Sequence, residues 1–200
     1  MNTNLLIDTI PTCVFIDDIK YDINFDFRIS ILFELLMQDS KVSDEDKILM
    51  ALQLYYPVIP KNINEAIEQM LWFYRCGKDI TKSKGKSKGE SVTRIYSFEH
   101  DDDYIYAAFL NQYGIDLQLI YPLHWWKFKA MFKALKDDNE IVKIMGYRST
   151  DLSKIKDKEQ KAYYKKMQKL YEIPVSKNEK EKLDEINNIL LNGGDISKVL

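Results

Sequence analysis

The chain has 200 residues, of which 46% are hydrophobic and 30% charged, and its formal net charge is -2. This composition predicts a folded chain with a sizeable core and excludes disorder throughout. The longest apolar runs, such as residues 29–37, fall short of the roughly 18 residues that a membrane helix requires, so no membrane partner is expected. The first residues lack a secretory pattern, and Cys13 and Cys76 lie far apart. We therefore expect an intracellular protein with free thiols.

Acidic and basic residues are unevenly distributed along the chain. Residues 1–77 carry 12 acidic and 6 basic side chains, whereas residues 78–94 carry 2 acidic and 6 basic ones. Blocks of alternating sign favour contacts between protein surfaces over a uniform site for a polyanion.

Residues 1–77 are predicted to form an N-terminal module of one hairpin and three helices. Short β-prone runs on either side of Asp17 and Asp18 predict a hairpin over residues 13–23. Helical apolar spacing, N-terminal capping residues and C-terminal stops predict the helices. They cover residues 27–38, Ser43 to Tyr55 and Asn62 to Gly77.

Residues 78–94 are predicted to be a flexible linker rich in Lys, Gly and Ser. Almost no apolar side chain is present there to offset the entropy that ordering would cost. A solvated loop is the favoured interpretation, and contact with nucleic acid through the lysines is the weaker one.

Residues 95–172 are predicted to form an aromatic-rich helical module, and residues 173–200 a C-terminal helix and tail. Capping residues, Pro122 and closing glycines predict the helices. They cover residues 101–113, 122–135, 139–145, 156–171 and 176–191. Asp101, Asp102 and Asp103 begin the first of them, where negative charge is favourable. A divalent cation is the alternative that these carboxylates leave open.

Nine aromatic side chains crowd residues 104–135, a density that predicts either the main core or a binding surface. On a helical wheel, one apolar arc of the helix at 122–135 predicts core. It holds Trp125, Phe128, Met131, Phe132 and Leu135.

The opposite arc contains Trp126, Ala130 and Ala134, and it is the candidate protein-binding surface of the chain. Small residues let a partner helix approach closely, and tryptophan anchors interfaces. Trp72 lies off the apolar stripe of its own helix, so it packs a second layer, pairs with the other module, or binds a partner. The favoured interpretation is nonetheless that the whole helix at 122–135 is central in its own domain and covered on both apolar faces, and partner binding is the alternative.

Neither a catalytic nor a metal-binding pattern is present in the sequence. His100 and His124 are the only histidines, and His124 beside two tryptophans is more typical of a core or capping group than of a base. No phosphate-binding, hydrolase or metalloprotease motif occurs. We therefore expect no enzyme, no cofactor and no metal.

Five segments together resemble the bacteriophage gene-product-fifteen family, over about residues 12–172. They are DFRISILFELL (26–36), LWFYRCGK (71–78), YSFEHDDDYIYAAFLNQYGIDL (96–117), LHWWKFKAMFKAL (123–135) and IMGYRS (144–149). The element pattern itself predicts a mainly α fold, one or more helical bundles with a small N-terminal β-hairpin.

The resemblance implies a role in assembling a long non-contractile phage tail, within the host bacterial cytoplasm. It implies a tail assembly chaperone that binds the helical tape measure protein and recruits tail tube protein. A structural connector or tail completion protein of the virion is the alternative, and a nucleic-acid-binding regulator is a third. Self-association into a homo-oligomer stays open.

Overall fold

The computed structural model describes residues 3–78 and 94–174. These residues form one antiparallel hairpin and seven helices, which confirms the mainly α fold with a small N-terminal hairpin. The elements are β1 (Cys13–Ile16), β2 (Ile19–Asp22), α1 (Phe27–Gln38), α2 (Asp44–Tyr55), α3 (Ile63–Tyr74), α4 (Asp102–Tyr113), α5 (Trp125–Lys133), α6 (Glu140–Ser149) and α7 (Lys158–Leu170). The helix predicted at 176–191 and nearly all of the linker at 78–94 lie outside the described residues.

The hairpin forms at the predicted turn. Asp17 and Asp18 have φ angles of 49° and 60°, and a two-residue turn that matches the twist of its strands needs positive φ at both positions. The Asp17 N–H donates to Glu65 Oε2 at 3.0 Å, which ties the turn to α3. Val14 and Ile16 thereby enter the core.

Two of the predicted helix caps are confirmed. The Ser43 hydroxyl accepts from the Asp46 N–H at 3.1 Å, at the start of α2. The Asn62 side chain accepts from the Glu65 N–H at 3.3 Å, at the start of α3. Each bond satisfies one of the free N–H groups of a helix N-terminus.

The predicted start of α5 is wrong. Pro122 does not open the helix, which begins at Trp125. The backbone before that point is extended, because Leu123 O accepts from the Phe27 N–H at 2.9 Å and the Trp125 N–H donates to Phe25 O at 2.8 Å. Tertiary pairing with a segment almost a hundred residues earlier overrides the local proline signal.

The predicted end of α6 is also wrong. The helix does not close at Gly146 but runs through it to Ser149. Beyond Gly146, Arg148 is held by an ion pair with Asp101, with oxygen contacts at 2.6 and 2.9 Å. This anchoring extends α6 through a residue that is intrinsically poor in helices.

The two sides of the 79–93 gap share one hydrophobic core. Phe27 of α1 stacks on Phe128 of α5 with ring centroids 4.7 Å apart, and Phe128 stacks in turn on Phe109 of α4 at 4.9 Å. The predicted boundaries of two modules stay a prediction, whereas their packing against each other is observed. None of the helices in the described ranges combines the length and apolar character needed to span a bilayer.

Candidate protein-binding groove

The adjacent tryptophans of α5 bind the C-terminal end of α3. Trp126 Nε1 donates to Phe73 O at 2.7 Å, and Trp125 Nε1 donates to Tyr74 O at 2.8 Å. The last carbonyls of a helix lack their usual partner from the next turn and can accept from other groups, and an indole N–H needs an acceptor when it is buried. Tyr74 O accepts from Trp125, and Phe73 O accepts from Trp126 in addition to the Cys76 N–H. The two indoles therefore meet both requirements at one joint.

Trp126 does not lie open to a partner. Its exposed fraction is 3%, and that of Trp125 is 0%, as a helix covered on both faces requires. Trp72 meets Trp126 edge to face with ring centroids 5.6 Å apart, which is the pairing with the other module that the sequence left open. Whether Trp72 and Trp126 contribute to partner binding stays a prediction.

His124 is the N-cap of α5, as the sequence favoured. Its Nδ1 accepts from the Trp126 N–H at 3.0 Å, so Nε2 carries the proton and donates to Pro11 O at 3.0 Å. Burial lowers the pKa of His124 below its ordinary value, with a smaller opposing effect from the Pro11 hydrogen bond. The imidazole is thus a neutral structural group.

The end of α3 is a tight αL turn that presses against Trp126. The Cys76 N–H donates to Phe73 O at 2.9 Å, and the Gly77 N–H donates to Trp72 O at 3.0 Å. These two hydrogen bonds are the pattern of a Schellman cap. A Cβ on Gly77 would stand 2.8 Å from Trp126 Cη2 and 2.7 Å from Thr3 Oγ1. Only glycine fits this close approach.

A groove with a volume of about 820 Å³ lies where the end of α3 meets α5 and α6. Five residues of α5 line it, and besides the buried Phe132 they lie at i, i+3, i+4 and i+7, which share one face. These are Trp126, Lys129, Ala130 and Lys133. Half-buried Val142 and Met145 of α6 and Tyr96 supply further apolar lining.

The structure thus brings two of the four predicted binding residues to this groove. Ala130 is exposed on its α5 wall, and Trp126 lies beneath it. Ala134 is exposed at the C-cap of α5 but is not among the described residues that line the groove. Trp72 packs behind Trp126.

Positive charge dominates the described lining of the groove. Arg75, Lys78, Lys129 and Lys133 line it, against a single carboxylate, Asp137. Among the described residues, the buried Arg75 Nε has no hydrogen-bond partner. Lys129 Nζ is 3.9 Å from Glu34 and lies over the Trp125 ring at 4.9 Å.

Cys76 and Tyr96 line the groove without reactive character. Burial raises the pKa of the Cys76 thiol, although Lys129 and Lys78 oppose the shift. Burial also raises the pKa of Tyr96 to about 12. Both groups are neutral near pH 7, and an activated nucleophile would require the opposite shift in the thiol.

The three successive aspartates do not converge on a cation. Asp101, 1% exposed, faces Arg148, while Asp102 and Asp103 occupy the first turn of α4. Within residues 3–78 and 94–174, no group of three or more metal-binding side chains comes together.

The sequence did not reveal two polar residues that join the helices. Arg148 donates to Asp101, to Ile95 O and to Tyr171 O. Gln112 donates to Ala134 O at 3.1 Å and accepts from the Lys136 N–H at 2.9 Å. Both lie in segments that carry the family resemblance, which was the only available signal.

A mainly α-helical protein with an apolar and basic groove is the class that fold and site define together. The family model described as bacteriophage Gp15 protein matches residues 6–173. The chain therefore belongs to this family and is a phage structural or morphogenesis protein. Comparison with curated proteins and with solved structures found no match.

Proposed function

We propose that this protein is a tail assembly chaperone that acts in the host bacterial cytoplasm. It binds the tape measure protein and aids assembly of the tail tube. The observation that carries the proposal is the family match over residues 6–173, which supplies the context of a phage structural or morphogenesis protein. The role within morphogenesis rests on the family resemblance and on the physical character of the groove.

A chaperone for a long helical protein needs a surface that covers apolar stripes reversibly. The groove between α5 and α6 offers half-buried apolar side chains beside lysines. Apolar contact supplies affinity in such helix-in-groove binding, and charge sets register and partner choice. In this account the protein binds and releases a client, and catalyses nothing.

Quantitative mass spectrometry of purified phage tails tests the proposal. A chaperone leaves when assembly is complete, so the expected result is absence of this chain from finished tails and presence in lysates of infected cells. Recovery of the chain from tails at a fixed ratio to the tape measure protein would contradict the proposal and favour a structural connector.

A further inference from the structure

The dimensions and lining of the groove suit the binding of an α-helix. The lining residues of α5 run from Trp126 to Lys133, which is seven residue steps, or about 10 Å of helix at 1.5 Å per residue. Met145 and Val142 of α6 form the facing wall. On the α5 wall, Ala130 is exposed and has the smallest apolar side chain of the described lining. A helix backbone can therefore approach closely there.

Three of the four cations of the groove have no ion-pair partner in the described part of the chain. Arg75, Lys78 and Lys133 form no ion pair among the residues described, and Lys129 has one, to Glu34 at 3.9 Å. Asp137 is the one acidic side chain in the described lining. An occupant that brings its own carboxylates would complete these charges.

The polar groups are arranged for a macromolecule. Small-molecule sites orient their ligand with a few convergent polar groups deep in the pocket. Here Lys78 and Lys133 are exposed, whereas Phe132 and Leu135 are buried and apolar. Flexible cations around an apolar floor are suited to the edges of an amphipathic helix.

We propose that this groove binds an acidic amphipathic α-helix. Its apolar stripe lies against Ala130, Val142 and Met145, and its flanking Asp and Glu side chains pair with Arg75 and Lys133. The inference deepens the proposed function and rests on it in one respect, that the helix belongs to the client. The preference for an acidic helix follows from the residues of the groove alone.

Two synthetic peptides of about 18 residues, or about five helical turns, provide the probes. Both carry leucine at i, i+3, i+4 and i+7, and they differ in having either Glu or Lys at every flanking position. Fluorescence anisotropy with the full-length protein measures both affinities. We expect the acidic peptide to bind at least about tenfold more tightly, and the advantage to shrink as NaCl rises. Equal affinity for the two peptides would overturn the proposal.

A charge reversal on α5 locates the site, and the same helix supplies its control. Lys133 lines the groove, whereas Lys127 is exposed on α5 and is not among the described lining residues. Lys133→Glu should weaken the acidic peptide about three- to tenfold, and Lys127→Glu less than about twofold. Equal effects of the two substitutions would overturn the assignment.

A steric pair repeats the test without changing charge. Ala130→Phe should block the groove and abolish binding of the acidic peptide, whereas Ala107→Phe, at an exposed position on α4, should leave it unchanged. Circular dichroism checks that both variants are folded. Self-association of the wild type that Ala130→Phe abolishes would assign the groove to a second copy of this chain and overturn the proposal.

The peptide titration and the tail analysis test two separate proposals, and either proposal can be contradicted while the other stands. Finding the chain in finished tails would remove the chaperone proposal and leave an acidic preference of the groove standing. Conversely, equal binding of the two peptides would remove this inference, while absence of the chain from tails would still support a chaperone.

Discussion

Trp126 illustrates how one buried side chain meets two demands at once. Its ring covers Trp72 and the αL turn at Gly77, and its buried N–H finds an acceptor in Phe73 O at the end of α3. Trp72, half-buried against it, makes no side-chain hydrogen bond among the described residues. The two indoles share one contact but differ in hydrogen bonding.

This difference predicts unequal costs for the same substitution. Trp126→Phe should lower the free energy of unfolding by about 1–3 kcal/mol, because it removes a buried hydrogen bond and ring volume. Trp72→Phe, the matched control, should cost less than about 1 kcal/mol. Urea unfolding followed by circular dichroism measures both. A cost for Trp72→Phe that equals or exceeds the cost for Trp126→Phe would refute this assignment.

His124 predicts a pH dependence of stability. Because burial lowers the pKa of the folded imidazole, the unfolded chain takes up a proton that the folded chain does not as pH falls below about 6.5. The stabilisation is therefore complete above that pH and is lost progressively below it.

The replacement His124→Asn keeps a side-chain acceptor for the cap but cannot titrate. The stability advantage of the wild type over this variant should shrink between about pH 7.5 and pH 5, as measured by urea midpoints. Carboxylates common to both proteins cancel in the difference. An advantage that stays constant with pH would show that His124 is not the titrating group.

At the scale of elements, two glycines occupy positions with opposite requirements. Gly146 lies inside α6 with open space around it, and Gly114 ends α4 at φ +65° with equally open space. Sterics at the Cβ position are therefore matched, and only backbone conformation distinguishes the two sites.

Alanine should have opposite effects at these glycines. Gly146→Ala should raise the free energy of unfolding by about 0.4–1 kcal/mol, because it removes chain entropy from the unfolded state. Gly114→Ala should lower it by about 1 kcal/mol or more, because the left-handed conformation is strained for alanine. Thermal unfolding of both variants measures the signs, and a loss of stability in Gly146→Ala would contradict the account.

Elements with local signals were predictable from the sequence. Asp17 and Asp18 marked the hairpin turn, and Ser43 and Asn62 marked the starts of α2 and α3, because capping bonds join residues that are close in sequence. The start of α5 was missed because Phe25 pairs with Trp125 only in the folded chain.

The site was predicted less completely than the fold. A helical wheel placed Trp125 in the core and Ala130 on the opposite side, and both placements are confirmed. For Trp126 the wheel left two interpretations, a covered helix or a partner surface, and it could not choose between them because the acceptor, Phe73 O, lies 53 residues away in sequence. For the same reason, no local pattern revealed that Arg75 and Lys133 line one groove.

Across the whole molecule, Arg148 links segments that are distant in sequence. It contacts Asp101, and through Ile95 O and Tyr171 O it also holds the chain before α4 and after α7. The side chains of Arg148 and Asp101 are 8% and 2% exposed, so neither charge is well solvated. Breaking such a pair leaves a buried cation without its carboxylate.

Asp101→Asn should therefore cost about 3–5 kcal/mol of stability, and Asp102→Asn less than about 0.5 kcal/mol because Asp102 is exposed. The two sites are adjacent and the chemical change is identical, which makes the second variant the control. Urea unfolding should separate them clearly. Similar losses in both variants would show that the buried ion pair does not secure this junction.

The groove is also a feature of the whole molecule, because three helices contribute residues to it. The hydrogen bonds of Trp125 and Trp126 hold two of these helices, α3 and α5, together. The end of α3 supplies Arg75, α5 supplies Ala130 and Lys133, and α6 supplies Met145. A client helix placed there would contact residues from both sides of the 79–93 gap. The proposed chaperone role thus depends on the packing that Trp125 and Trp126 maintain.

Co-expression with the tape measure protein of the same phage tests the central claim most directly. The measurement is the fraction of tape measure protein that stays soluble and co-purifies with the wild type, with Lys133→Glu and with Lys127→Glu. We predict a high fraction with the wild type and with Lys127→Glu, and a several-fold lower fraction with Lys133→Glu. Tape measure protein that is equally insoluble with all three proteins would contradict the claim that this protein is its chaperone.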